Sequence, residues 1–148
     1  MAEIRPLGGF AVLVVEDDPD TLESATSLIR DFLGCEVLTA SSGDDATRII
    51  DAGFRVDLLF ADIVMPKMDG LTLTRFIRQR SPNLPVVLTT GLPNAVDMAL
   101  ECGAFALIKP YSPARLEALF TEQLRFKTHA KSDRPSLAPI EQLLAKDQ

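Results

Sequence analysis

Phe10–Pro19, FAVLVVEDDP, decides the fold. Six apolar residues in a row suit a strand buried on both faces. The run ends abruptly in Glu16, Asp17 and Asp18, with Pro19 closing it. A helix-period segment follows over Asp20–Leu33, with Leu22, Ala25, Ile29, Phe32 and Leu33 on one stripe and Gly34 as the stop. The same couplet then recurs. Glu36–Ala40 is a short strand, and Ser41–Ser42 offers an N-cap to a helix carrying Ala46, Ile49 and Ile50 that ends at Gly53. Leu58–Ala61 is a third strand ending at Asp62. A loop rich in Pro, Met and Gly leads from it to a helix over Leu71–Gln79 with Leu73, Phe76 and Ile77 inward. Pro85–Thr90 is a fourth strand, and Asn94–Cys102 a short helix. Phe105–Ile108 is a fifth strand, stopped by Lys109–Pro110. Ser112 caps a last helix with Pro113 at its first position, where a missing N–H costs nothing, and with Leu116, Leu119, Phe120 and Leu124 on one face.

Five strand–helix units in succession predict an α/β domain: a five-stranded parallel sheet, doubly wound, with helices on both faces and right-handed crossovers. No internal repeat interrupts the pattern. The chain has 148 residues with 15 Lys and Arg against 21 Asp and Glu, a net charge of −6. The length suits one domain with a short appendage. Up to Phe126 there are 18 acidic and 11 basic residues, whereas 127–148 carry 3 and 4, so the acidity belongs to the domain. The expected division is a domain over 1–126 and a polar tail over 127–148, in which Ile140–Lys146 has the spacing of two helical turns. An acidic domain argues against duplex binding by phosphate neutralisation. No run approaches the roughly 18 apolar residues of a membrane span, and no signal peptide is visible at the N-terminus. Cys35 and Cys102 read as thiols of a reducing compartment, which points to the cytoplasm.

In an open parallel sheet, ligands bind beyond the carboxyl ends of the strands. Those ends carry Glu16, Asp17 and Asp18 on the first strand, Asp62 on the third, Thr89 and Thr90 on the fourth and Lys109 on the fifth. Clustered carboxylates call for a cation, and hard oxygen donors suit Mg²⁺. A lysine and a hydroxyl beside it can hold a phosphoryl group, and an aspartate can become an acyl phosphate. Singly, each residue has a plainer reading: acidic residues favour a first helical turn, Asp caps turns, and Thr is an ordinary strand residue. The coincidence at four strand ends favours a site.

The motifs VLVVEDD (12–18), DLLFADIVMPKMDG (57–70), PVVLTTG (85–91) and IKPY (108–111) resemble those of the receiver (CheY-like) domain of two-component response regulators, over about Gly8–Phe126. The resemblance implies that Asp62 is the phosphoacceptor for a histidine kinase or phosphotransfer protein. Glu16, Asp17, Asp62 and the backbone carbonyl of Val64 would hold Mg²⁺, with Asp18 outside that shell. Thr90 would be the hydroxyl that moves to the phosphoryl group, with Thr89 pointing to the other side of the strand. Lys109 would pair with a phosphoryl oxygen and precede a cis proline bond. Pro66 and Gly70 would shape the loop, and Asp69 would cap the next helix. It further implies no enzymatic activity beyond self-phosphorylation and self-dephosphorylation, no nucleic acid or membrane partner, and a monomer or phosphorylation-dependent dimer. The output surface would be the fourth helix, fifth strand and fifth helix.

Two features depart from the pattern. Receivers usually carry an aromatic residue three positions before the lysine, where this chain has Ala106; Phe105 is adjacent but should face the opposite way. The Thr90–Lys109 stretch is also a few residues short, and GLPNA (91–95) reads as loop. Reordering of Gly91–Gly103 is therefore the expected output. With only 22 residues after Phe126, the expected form is a stand-alone receiver acting through other proteins or as a phosphate sink. A haloacid-dehalogenase-like phosphatase would need a second acid two positions after Asp62, where Val64 stands. A degenerate receiver is opposed by the intact set Glu16, Asp17, Asp62, Thr90 and Lys109.

Overall fold

A computed structural model describes residues 7–125. Its strands are β1 (Ala11–Val15), β2 (Glu36–Ala40), β3 (Leu58–Asp62), β4 (Val86–Thr90) and β5 (Phe105–Ile108). Its helices are α1 (Pro19–Ser27), α2 (Gly43–Asp51), α3 (Gly70–Arg80), α4 (Ala95–Glu101) and α5 (Pro113–Leu124). All strand pairs are parallel, in the order β2-β1-β3-β4-β5. The strand order therefore reverses at β1, and a crevice opens outside the ends of β1 and β3. The expected tail lies outside the described residues.

Strand alternation sorts the apolar residues onto two faces. Leu13, Val15, Leu59, Ala61, Val86 and Leu88 belong to the core shared with α2, α3 and α4. Val12, Val14, Leu58, Phe60, Val87 and Leu107 belong to the core beneath α1 and α5, where Phe60 meets Phe120 edge-on at 5.3 Å between centroids. This is why the strands read as continuous apolar runs.

The helix starts are local chemistry. Asp18, Ser42, Asp69 and Ser112 each accept the main-chain N–H of the residue three further on, at 2.9, 3.1, 2.8 and 3.1 Å. Each satisfies a donor that has no partner inside the helix. The expected stripe of the first helix is corrected at one position. After Ser27 the chain widens into a π-type turn over Leu28–Phe32, in which the Leu33 N–H reaches back to the Leu28 carbonyl at 3.3 Å. The extra residue in that turn buries Leu33 and turns Phe32 outward, 48% exposed.

Candidate functional site: an acid–lysine rim at the strand ends

Asp62 ends β3, and its register partner on β4 is Thr89. Partners in register share a face, so both side chains lie on the α1/α5 side. Lys109 follows β5 and its Nζ reaches Asp62 Oδ2 at 2.7 Å. The Val64 N–H donates to the other oxygen, Oδ1, at 3.3 Å. The Lys109–Pro110 bond is cis, as the resemblance implied.

Glu16 follows β1 and is buried, whereas Asp17 and Asp18 are exposed. Glu16 Oε2 accepts the Asp18 N–H at 3.1 Å. Burial pushes the Glu16 carboxyl up to about 7; the Asp18 amide opposes the rise, the Asp17 side chain and the Asp62 charge add to it, and Lys109 opposes it. Asp18 is engaged elsewhere. Its carboxylate caps α1 through the Thr21 N–H and hydroxyl, which hold it below the usual carboxylate range.

The loop after Asp62 is held by close backbone approach. A Cβ on Gly70 would lie 2.5 Å from the Asp62 carbonyl oxygen and 2.9 Å from Ile63 Cα, so only glycine lets α3 begin there. The Gly70 N–H donates to the Ile63 carbonyl at 2.8 Å, and Asp69 caps α3 as expected. Within the loop Lys67 has φ 65°, closing a three-residue turn in which the Met68 N–H meets the Pro66 carbonyl at 2.8 Å.

The two threonines divide as alternation requires, but with a result the sequence reading missed. Thr89 does point away from Thr90, and that side is the pocket. A cavity of about 20 Å³, room for about one water, is lined by Glu16, Asp62, Thr89, Lys109 and Tyr111 among others. The register with Asp62 was the available signal. Tyr111 is half-buried there, and burial, then Glu16 and Asp62, raises its hydroxyl pKa. Thr90 lies on the α4 side, where its Oγ1 accepts the Leu92 N–H at 3.0 Å. Ala106 packs into the α2–α4 core and Phe105 is exposed, consistent with their expected opposite faces.

Among the described residues, no three His, Cys, Asp or Glu side chains converge closely enough to hold a metal unaided. Lys109 holds Asp62, and Asp17 is exposed. Mg²⁺ needs only one or two carboxylates, completed by carbonyl and water. Glu16, raised by burial and further by the neighbouring Asp17 and Asp62, marks a hard-oxygen donor set short of positive charge, so the residues present fit such an ion.

A parallel α/β domain with an acid–lysine rim at its switch point is the class that fold and site define. Residues 12–121 match the response regulator receiver domain, and the chain belongs to that family of two-component signalling domains. It is 37% identical over 143 residues to the transcriptional regulatory protein AruR of Pseudomonas aeruginosa, covering 90% of this chain and 55% of AruR. A receiver domain structure from Clostridium thermocellum superposes with TM-score 0.75 at 29% identity, covering 82% of this chain and 98% of that one. The CheX–CheY–BeF₃–Mg²⁺ complex from Borrelia burgdorferi gives TM-score 0.69 at 28% identity, covering 76% and 87%. The chain spans about half or less of the length of the curated relatives it matches. Among the described residues, no helix is long and apolar enough to cross a membrane.

Proposed function

We propose that Asp62 is the phosphoacceptor of a two-component or phosphorelay system. The observation that carries this is the 2.7 Å ion pair between Lys109 and Asp62 Oδ2 at the strand-end rim, which leaves Oδ1 as the less firmly held oxygen. In the transfer, the P–N bond of a donor phosphohistidine breaks and the imidazole nitrogen keeps the electron pair. An O–P bond forms to an Asp62 carboxylate oxygen. Lys109 stabilises charge on the transferring oxygens, and Thr90 donates its hydroxyl to one of them. Glu16, Asp17, Asp62 and the Val64 carbonyl would hold Mg²⁺, which would supply positive charge to offset that of the transferring phosphoryl oxygens.

The donor is a histidine kinase or a histidine phosphotransfer protein, and the protein works in the cytoplasm. Its only chemistry is its own phosphorylation and dephosphorylation. The output is a protein contact at α4, β5 and α5, or a phosphate sink, and the state is a monomer or a phosphorylation-dependent dimer. Exposed Leu92, Met98, Leu100 and Ile108 supply apolar area for such contact. With Ala106 in the aromatic position, the surface changes by reordering of 91–103.

The test is intact-protein mass spectrometry after incubation with acetyl phosphate, with and without Mg²⁺. One Mg²⁺-dependent phosphoryl adduct is expected on the wild type and none on Asp62→Asn. An adduct retained by Asp62→Asn would overturn the assignment.

A further inference from the structure

The α1/α5 side of Asp62 carries a hydroxyl that the transfer step does not use. Thr89 is 4% exposed, and its register partner on β3 is Asp62. Neighbouring strands lie about 4.8 Å apart, so the two side chains are neighbours on one face of the sheet. Among the described residues, nothing hydrogen-bonds the Thr89 hydroxyl, and the side chain lines the cavity of about 20 Å³ beside Asp62. A buried hydroxyl without a partner is costly, and a strand position could as well hold valine.

Tyr111 brings a second hydroxyl to the same cavity. It follows the cis Lys109–Pro110 bond, and its ring stands edge-on to Phe60 with centroids 6.2 Å apart. That hydroxyl also has no hydrogen-bond partner among the described residues. Asp62 itself has acceptor capacity to spare. A carboxylate offers about four lone-pair sites, and Lys109 on Oδ2 and the Val64 N–H on Oδ1 take two of them. A cavity with room for about one water and two to four polar partners is a hydration site, whereas a dry cavity is lined by apolar groups alone.

Resting on the reading of Asp62 as phosphoacceptor, we propose that this cavity is a water site that serves the loss of the phosphoryl group. The water accepts from the Thr89 and Tyr111 hydroxyls and donates to the Asp62 carboxylate, which makes Thr89 a positioning residue acting through it. In hydrolysis a solvent water adds to phosphorus in line with the breaking bond. The Asp62 O–P bond breaks, its electron pair stays on the carboxylate, and the attacking water gives up a proton to solvent. Val14 and Phe60, which precede the rim on β1 and β3, also line the cavity, so the held water lies on the core side of the carboxylate. It is therefore not the attacking water; it acts on the leaving group. A hydrogen bond to an ionised acceptor is roughly twice as strong as one to a neutral acceptor. The held water thus favours the departing carboxylate over the acyl phosphate, and removing it slows hydrolysis by about the worth of one neutral hydrogen bond, about fivefold.

The experiment follows loss of the adduct by intact-protein mass spectrometry after phosphorylation with acetyl phosphate and Mg²⁺ and removal of the donor. Thr89→Val and Tyr111→Phe should each slow hydrolysis about fivefold. The double variant should be no slower than either single one, because both release the same water. Thr89→Ser should keep the wild-type rate. A crystal structure of the wild type should show one water within about 3 Å of Thr89 Oγ1, Tyr111 Oη and an Asp62 oxygen, and Thr89→Val should lack it. An unchanged rate in Thr89→Val, single effects that multiply in the double variant, or a wild-type crystal without that water would overturn the proposal. If Thr89→Val does not fold, Tyr111→Phe and the wild-type crystal decide. If no adduct forms even on the wild type, the phosphoacceptor reading fails, and the crystal structures still decide the water site.

Discussion

Cys35 lies against α1 and β1, 3% exposed, and burial followed by the charge of Asp57 pushes its thiol up to about 12. The thiolate is the reactive form, so Cys35 should be inert in the folded chain. At pH 8 a maleimide should label Cys102 in the native protein and Cys35 only in denaturant; native labelling of Cys35 would refute the burial argument. The same shift makes stability fall at alkaline pH. Above about 9 the unfolded thiol loses its proton while the folded one keeps it, so the unfolded state binds fewer protons. Stability is full below pH 9 and declines by up to about 1.4 kcal/mol per pH unit from there toward 12. Urea unfolding at pH 8, 9.5 and 10.5 measures the slope, which should be shallower in Cys35→Ala. Single residues of the site differed in how far the sequence marked them. Asp62 and Lys109 stood out because strand ends and motif coincide there. Thr89 did not, since its importance comes from a register with Asp62 on another strand. Periodicity within β4 gives its side without saying what occupies that side.

At the scale of elements, what was local was legible. The caps at Asp18, Ser42, Asp69 and Ser112 involve partners three residues away; Ser42 and Ser112 were readable as caps from the residues and Asp69 from the resemblance, while Asp18 stood out only as part of an acidic run suited to a first helical turn. The π-type turn over Leu28–Phe32 was not. A regular 3.6-residue period assigns both Phe32 and Leu33 inward, while the core beneath α1 takes Leu33 and the widened turn excludes Phe32. The brevity of α4 was legible as a shortage of residues between Thr90 and Lys109, but its fastening by Arg78 was not, because that contact spans 25 residues. The Asp69 cap is where a local device bears on the site, since it fixes the start of α3 where Gly70 touches the Asp62 backbone. Asp69→Ala should cost about 1 kcal/mol in urea unfolding. It should also slow labelling by acetyl phosphate, because the loop from Ile63 to Met68 loses its downstream anchor. Lower stability with an unchanged labelling rate would confine the cap to folding.

For the whole molecule, alternation of strands and helices implied a doubly wound sheet, and the sheet then gathers residues far apart in the chain at one rim. That gathering conflicts with stability. The domain is acidic, and the rim sets Glu16, at 7% exposure, beside Asp17 and Asp62, with Lys109 committed to Asp62. A carboxylate shielded from water and facing two others opposes folding, and sites where function opposes folding have this character. Glu16→Gln removes one charge, and its side-chain oxygen can still accept the Asp18 N–H. Without metal the variant should melt a few degrees higher than wild type at pH 8. Adding Mg²⁺ should raise the wild-type melting temperature, since an ion that binds only the folded state stabilises it by mass action, and the rise should be lost in Glu16→Gln. Two scans of each protein, in EDTA and in excess Mg²⁺, separate the effects. A variant less stable than wild type in EDTA would make Glu16 a structural residue, and an undiminished Mg²⁺ response would place the cation away from the ends of β1 and β3.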